Sequence, residues 1–195
     1  MPLRAPLVLA STSRYRRELL ARLGLAFETV APGVDEAALP GESPAQTARR
    51  LAAAKAEAVA AQRPSSWVIG ADQVAALDDR PINKPGSHAA AVGQLARLSG
   101  REAEFHSALC LRRIDGGIRE LAVVSTRVRY RALDGEAIAS YLAREAAYDC
   151  AGSARIEGLG ITLVEWVRGD DPSALIGLPL ITLSGWLRRY GLLPG

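Results

Sequence analysis

The sequence predicts an α/β fold built on a mixed sheet, and three observations carry that prediction. A short apolar run, L-V-L-A at residues 7–10, passes at once into a polar turn and a helix start, the strand-to-helix unit of α/β folds. An alanine-rich segment at 45–62 with helical periodicity stands between two apolar runs. Two long strand candidates, 102–114 and 118–130, are joined through Asp115-Gly116-Gly117, which reads as an antiparallel hairpin.

The totals fit this fold. At 195 residues the chain suits one domain, or two lobes sharing a cleft, and can bury roughly 70% of its unfolded surface. Hydrophobic residues at 49% and charged residues at 23% exclude wholesale disorder. Lys plus Arg number 24 against 21 Asp plus Glu. The resulting net charge of +3 gives no general case for nucleic-acid binding, so any anion site must be local. Cys110 and Cys150 stand far apart with no Cys or His cluster about either, which excludes a disulfide framework and a zinc site. The N-terminal apolar run is broken by Ser11, Thr12, Ser13 and Arg14, so it lacks a secretory core. No apolar run approaches the roughly 20 residues that cross a bilayer. A cytoplasmic protein without membrane contact is expected.

Taken in order, the strand at 7–10 is stopped by Ser11, Thr12 and Ser13. Ser13 is a natural N-cap for a helix over 14–23, with Leu19, Leu20 and Leu23 on one face and Gly24 as its stop. Arg14, Arg16 and Arg17 fill its first turn, where the helix dipole favours acids. An anion would resolve the misfit, because free N–H groups, serine hydroxyls and guanidinium forks all donate to phosphate oxygens. A surface helix with a basic end is the plain alternative. A second short strand follows at 27–31, and Pro32-Gly33 turns the chain into Asp35-Glu36, acids that are solvated or face a metal or cationic ligand.

Ser43-Pro44-Ala45-Gln46 combines an N-cap, a proline at the first helical position and a capping-box glutamine. The helix it opens places Lys55 on or beside the buried stripe, where it either snorkels or seeks a phosphate. The apolar runs at 67–70 and 74–77 enclose Asp72. A carboxylate there is costly unless paired, metal-bound or turned into a polar cleft, which singles out Asp72. Residues 78–81 make a hairpin-like turn, and Lys84 before Pro85 is held in extended backbone. A third helix at 87–98 precedes the hairpin, in which His106 reads as structural. Asp134 caps a helix to residue 144, and a polar turn fills 148–153. Gly152, Gly158 and Gly160 permit backbone to approach a ligand or serve turns. A strand at 161–166, an acid-rich loop at 168–172 and an amphipathic helix at 179–190 complete the chain.

With these residues in view, the chain resembles the Maf family of nucleoside triphosphate pyrophosphatases over almost its whole length. The matching pieces are L-A-S-T-S-R-Y-R-R at 9–17, V-D-E at 34–36, R-L-A-A-A-K-A at 50–56, G-A-D-Q-V at 70–74 and N-K-P at 83–85. Later pieces, Y-D-C-A-G-S-A-R-I-E-G-L-G-I at 148–161 and G-D-D-P-S-A-L-I-G-L-P-L at 169–180, resemble its 7-methyl-GTP pyrophosphatase branch. The dTTP/UTP branch carries Asp-Thr in place of Asp72-Gln73 and Gln in place of Glu157. Two departures stand out. The family usually has Pro at Arg14 and Gly at Asn83, where asparagine can adopt the left-handed backbone that a glycine would.

The resemblance implies one Maf-like domain over 1–195, with a mixed twisted sheet, flanking helices and two lobes around a cleft, as in inosine triphosphate pyrophosphatases. It implies a hydrolase acting on acid anhydrides, which cuts a nucleotide between its α and β phosphates with the help of Mg2+, Mn2+ or Co2+. Ser11, Ser13, Arg16, Lys55 and Lys84 match the positions that hold phosphate, and Glu36 and Asp72 those that hold metal. Asp72 stands in the place of the proton acceptor, and Tyr15, Gln73 and Glu157 at the specificity positions. N7-methylation makes guanine cationic, so Glu157 and the aromatic face of Tyr15 would favour it by charge pairing and cation–π contact. Expected partners are a nucleotide and, compatibly, a second copy in a homodimer. The readings that compete are a dTTP/UTP-type pyrophosphatase and a non-catalytic nucleotide-binding regulator of cell division.

Overall fold

Four of the expected helix starts carry working caps. Ser13, Ser43, Ser87 and Asp134 sit in extended backbone, and each accepts the N–H of the residue three positions on, satisfying a donor that helix geometry leaves orphaned. At Ser43 the box closes both ways, Gln46 Oε1 accepting from the Ser43 N–H at 2.8 Å. The computed structural model describes residues 5–193. Its helices are α1 (Arg14–Ala21), α2 (Pro44–Ala60), α3 (His88–Leu98), α4 (Gly135–Arg144) and α5 (Leu180–Arg189). Its strands are β1 (Leu7–Ala10), β2 (Glu28–Thr29), β3 (Trp67–Leu77), β4 (Arg80–Ile82), β5 (Glu102–Arg113), β6 (Ile118–Tyr130) and β7 (Val164–Arg168). None of the described helices is long and apolar enough to cross a membrane.

The strands form one mixed sheet in the order β2-β1-β3-β5-β6-β7. β1 runs parallel to β2 and β3, and the rest of the ladder is antiparallel. β3 is the pivot. One edge pairs with β5 from Val68 to Ala76. On its other edge β1 stops at Gly70, and β4 begins only at Ala75, turned back by Asp78 and Asp79 at positive φ. Residues 71–74 thus lack a strand partner on that side, where the chain leaving β1 turns away into α1. A break in strand order beyond the carboxyl end of a strand is where open α/β sheets bind ligands.

Alternation along β3 sorts its side chains. Ile69 and Ala71 pack with Leu19 and Leu20 of α1 and Leu183 and Leu187 of α5, while Val68 meets Ala56 and Val59 of α2 on the opposite face. A third core, around Phe105, Tyr130, Leu95 and Tyr141, lies under α3 and α4 toward the far end of the sheet. Gly70 shares the α2 face. A Cβ there would stand 2.2 Å from the Ala52 carbonyl oxygen and 2.5 Å from the Ala56 nitrogen, so α2 lies on β3 at a distance only glycine permits.

Several expectations change in detail. β2 is reduced to Glu28–Thr29, and α1 and α2 end at Ala21 and Ala60, short of 23 and 62. The strand expected over 161–166 starts later, because Leu159–Leu163 winds as a 3-10 turn before β7. Asn83 does not take the left-handed backbone open to an asparagine, since among described non-glycine residues only Asp78, Asp79 and Ser153 have positive φ. His106 is buried between strands, its Nδ1 2.8 Å from Ser125 Oγ and its Nε2 3.5 Å from Glu104, as the structural reading requires.

The long connection from β2 to α2 is tied down by Glu42. Its carboxylate accepts from Leu39 N–H at 3.0 Å, Thr47 hydroxyl at 3.1 Å and the Arg50 fork at 2.5 and 2.8 Å. The Arg50 fork, first among these, holds Glu42 at about 2, below its ordinary 4.5. A carboxylate depressed on folding contributes stability that is whole above its ordinary value and is lost as pH falls through the folded one. Native protein is therefore expected to lose stability between about pH 4.5 and 2, and Glu42→Gln to flatten that part of a denaturant-midpoint profile. Gly70→Ala is expected to destabilise by about 1–3 kcal/mol through overpacking, and an unchanged urea midpoint would contradict the close approach of α2.

Candidate active site

The gap in the β3 edge opens into a cleft of about 760 Å3, continuous with a smaller compartment of about 110 Å3. Ser11, Ser13, Tyr15, Arg16, Glu36, Lys55, Asp72, Gln73 and Lys84 line the larger space. Glu157 lines the smaller one, together with Ser13, Tyr15, Arg16, Gln73 and Lys84, which face both. All ten candidate residues thus face one cleft, although they come from six separate stretches of chain.

At its floor is an ion pair. Lys55 from α2 is only 4% exposed and Asp72 from β3 only 6%, and Lys55 Nζ lies 2.6 Å from Asp72 Oδ1. The same Nζ lies 2.6 Å from Glu36 Oε1, on the loop that Glu42 and Arg50 secure. The hydrogen bond from Lys55 holds Glu36 below the usual carboxylate range. Lys55 therefore bridges the two acids, and their bound oxygens are at most twice that distance apart. Asp72 Oδ2 and Glu36 Oε2 make no hydrogen bond among the described residues.

At the cleft wall stands the start of α1. Ser13 caps it, its first turn contains no acid, and its positive end faces the cavity through Ser13 and Arg16. Ser11 is buried and its Oγ accepts from the Ser13 N–H at 3.1 Å. Arg16 donates through Nε to the Gly177 carbonyl at 3.0 Å, which commits one edge of the guanidinium to protein and leaves the terminal nitrogens for a ligand. Burial weighs against its charge, and Asp72 and Glu36 only partly offset that. Lys84 is exposed at the opposite rim, its loop tied to α3 by Gln94 donating to the Asn83 carbonyl at 2.9 Å.

The smaller compartment is built from residues of two kinds. Gln73 points to the opposite face of β3 from Asp72, and its Nε2 donates to Ser107 Oγ at 2.8 Å and to the Ala174 and Leu175 carbonyls at 3.0 Å. Tyr15 is engaged on all sides. Its hydroxyl accepts from Arg14 at 2.6 Å and Arg155 at 2.8 Å and donates to Asp149 Oδ2 at 3.0 Å. Burial pushes the phenol up to about 12. The guanidinium carbons of Arg14 and Arg155 stand 4.7 and 5.5 Å from its ring centroid, so protein cations already contact the ring. Glu157 is exposed into the compartment and makes no ion pair or hydrogen bond among the described residues.

Sequence reasoning passed over Asp149, Arg155 and Ser107. Asp149 and Arg155 stood inside a quoted motif but looked like turn residues, and Ser107 gave no signal at all. Asp149 is held below the usual range because hydrogen bonding to Tyr15 and the nearby Arg14 outweigh its burial. Arg14, which fills the family's proline position, pairs with Asp149 at 3.2 Å. Glu145 braces the loop beneath, 3.2 Å from Arg155 and accepting from the Gly160 N–H at 3.2 Å. Gly158 and Gly160 serve that bracing, since a Cβ on either would meet Glu145 or the Arg155 backbone within 2.5 Å.

Comparison with known proteins adds to this geometry. The family model described as Maf-like protein matches residues 6–190. A protein named 7-methyl-GTP pyrophosphatase from Bordetella avium is 56% identical over 188 residues, covering 96% of this chain and 94% of that one. Proteins of the same name from Cupriavidus metallidurans and Ralstonia nicotianae are 53% and 54% identical, over 96% of this chain and 94% and 96% of theirs. On that coverage and identity, with the ordered motifs assembled about one cleft, the chain belongs to the Maf family.

Proposed function

We propose that the chain hydrolyses 7-methyl-GTP, or a closely related modified nucleotide, to the monophosphate and pyrophosphate. The observation that carries this reading is the triad at the cleft floor, in which Lys55 joins Glu36 to Asp72 beside the positive end of α1. A site that only bound a triphosphate would gain nothing from two acids placed against it. A site that cuts one needs them, because phosphoryl transfer depends on charge neutralisation and an aligned water more than on a protein nucleophile. The names of the relatives support the same reaction.

The roles follow from position. Ser13, Arg16 and the first N–H groups of α1 hold the triphosphate, with Ser11 setting the turn and Lys84 closing from the other rim. Lys55 fixes both carboxylates and leaves one oxygen of each unengaged. Those two hard oxygen donors suit Mg2+ or Mn2+, and no cluster of three or more acids, His or Cys exists among the described residues. The remaining coordination then comes from water and the phosphates themselves, the ordinary habit of Mg2+. When bound, the metal neutralises phosphate charge. Asp72 orients and deprotonates the water aimed at the α-phosphorus.

Base selection rests on charge at the smaller compartment. Arg14 and Arg155 are matched by Asp149 and Glu145, so Glu157 is the carboxylate left to meet a cationic base. Tyr15 is anchored in this wall through its hydroxyl contacts with Arg14, Arg155 and Asp149.

Incubated with Mg2+ or Mn2+, the protein is expected to release 7-methyl-GMP and pyrophosphate, and Asp72→Asn to lower turnover by about 100-fold or more. Release of orthophosphate, or an Asp72→Asn variant that turns over like wild type, would overturn the reading. Glu157→Gln is expected to reduce the kcat/KM preference for 7-methyl-GTP over GTP by about tenfold. An unaltered ratio would remove Glu157 from base selection.

A further inference from the structure

Ser107 is fully buried on β5 and lies directly across the ladder from Gln73. Its hydroxyl donates to the Ala174 carbonyl at 2.6 Å. With its proton committed there, the oxygen turns a lone pair toward Gln73, whose Nε2 lies 2.8 Å away. The Ala174 and Leu175 carbonyls face the same nitrogen at 3.0 Å. Three acceptors therefore surround one end of the amide. The reversed amide would set Oε1 against two carbonyl oxygens and a hydroxyl whose proton is already used, leaving buried acceptors unpaired.

We infer that Ser107 is a positioning residue that, together with the Ala174 and Leu175 carbonyls, fixes the polarity of the Gln73 amide, so that the small compartment favours a base presenting an N–H donor and disfavours one presenting an acceptor. The oxygen left over, Oε1, has no partner among the described residues, and its side chain lines both compartments. Glu157 beside it can only accept when ionised. Apart from Ser13, Arg16 and Lys84, which are assigned to the phosphates, the free polar groups that Gln73 and Glu157 turn to the compartment are acceptors. Guanine meets them with N–H donors at N1 and its exocyclic amine, whereas adenine offers a bare acceptor at N1. The inference rests on the nucleotide reading above and adds to it the residue that sets the sense of recognition.

The test uses binding rather than turnover. Calorimetric titration of 7-methyl-GMP and 7-methyl-AMP, both cationic, is compared for wild type, Ser107→Ala, Gln73→Met and the double variant. Wild type is expected to favour the guanine nucleotide by at least about tenfold, and Ser107→Ala to narrow that ratio severalfold. In the Gln73→Met background the Ser107 change is expected to have no further effect, because the coupling runs through the amide. Equal wild-type affinities, or the same narrowing with and without the Gln73 amide, would overturn the assignment. If Ser107→Ala does not fold, Ser107→Cys replaces it; its weak acceptor should narrow the ratio less, and no narrowing at all counts against the assignment. A protein with the expected binding pattern that releases no pyrophosphate would overturn the pyrophosphatase reading and leave the Ser107 assignment standing.

Discussion

The buried pair between Lys55 and Asp72 is the interaction on which the rest of the structure depends. Taking two charges out of water costs several kcal/mol each, and removing one partner leaves the other uncompensated at about 3–5 kcal/mol. The contact must therefore be made with good geometry or not at all. Its geometry is set by Gly70, two residues before Asp72 and on the same face of β3, where the missing side chain lets α2 settle against the strand. Stability alone does not ask for such a pair, since well-packed apolar side chains usually do as well. What the pair supplies is a fixed carboxylate with one oxygen unengaged, at the point where the sheet edge opens.

The same logic runs through the cleft wall. α1 begins with three arginines and no acid, against the preference of its dipole. Arg16 loses solvation as well, with only partial return from Asp72 and Glu36. Excess positive potential is thus concentrated at one end of a cavity whose floor holds the acids. A polyanion bound there satisfies the helix end, the desolvated guanidinium and Lys84 together. The free protein already fixes the helix end through Ser13 and Arg16 through the Gly177 carbonyl, so little reorganisation of these two is left for the ligand to bring about.

Much of this was legible in the sequence where residue type carries the physics. Ser43-Pro44-Ala45-Gln46 can hardly begin anything but a helix, and Asp72 between two apolar runs announces a carboxylate that must be answered. Five ordered motifs hold the candidates that line the larger space, and a later piece holds Glu157. Legibility failed where backbone does the binding. The apolar alternation of 161–166 looked like a strand, yet its first residues belong to a 3-10 turn that carries the chain past Glu145 before β7 can pair. Asn83 could have imitated glycine, but Gly86, three residues on, is the residue of this loop with positive φ. Ser107 is a serine among strand residues, and nothing in its type foretells that it faces Gln73 across a ladder.

The segment from Asp171 to Leu180 shows most clearly how backbone contacts join the two compartments. Asp171 is 2% exposed and accepts from the Ser173 N–H at 2.9 Å, the Ser173 hydroxyl at 2.5 Å and the Ile181 N–H at 2.7 Å. That knot fastens the segment to the start of α5, where an acid also suits the dipole. Its carbonyls then face two ways, Ala174 and Leu175 toward Gln73 and Gly177 toward Arg16. Gln73, proposed to read the base, and Arg16, proposed to hold the phosphates, are thus supported by one short piece of chain. A base that displaced Gln73 would pull on carbonyls two and three residues from the Arg16 anchor at Gly177. Under the proposed roles, recognition at one end of the nucleotide would be linked through this segment to alignment at the other, the arrangement expected of a site that spends binding at a remote group on orientation at the bond to be cut.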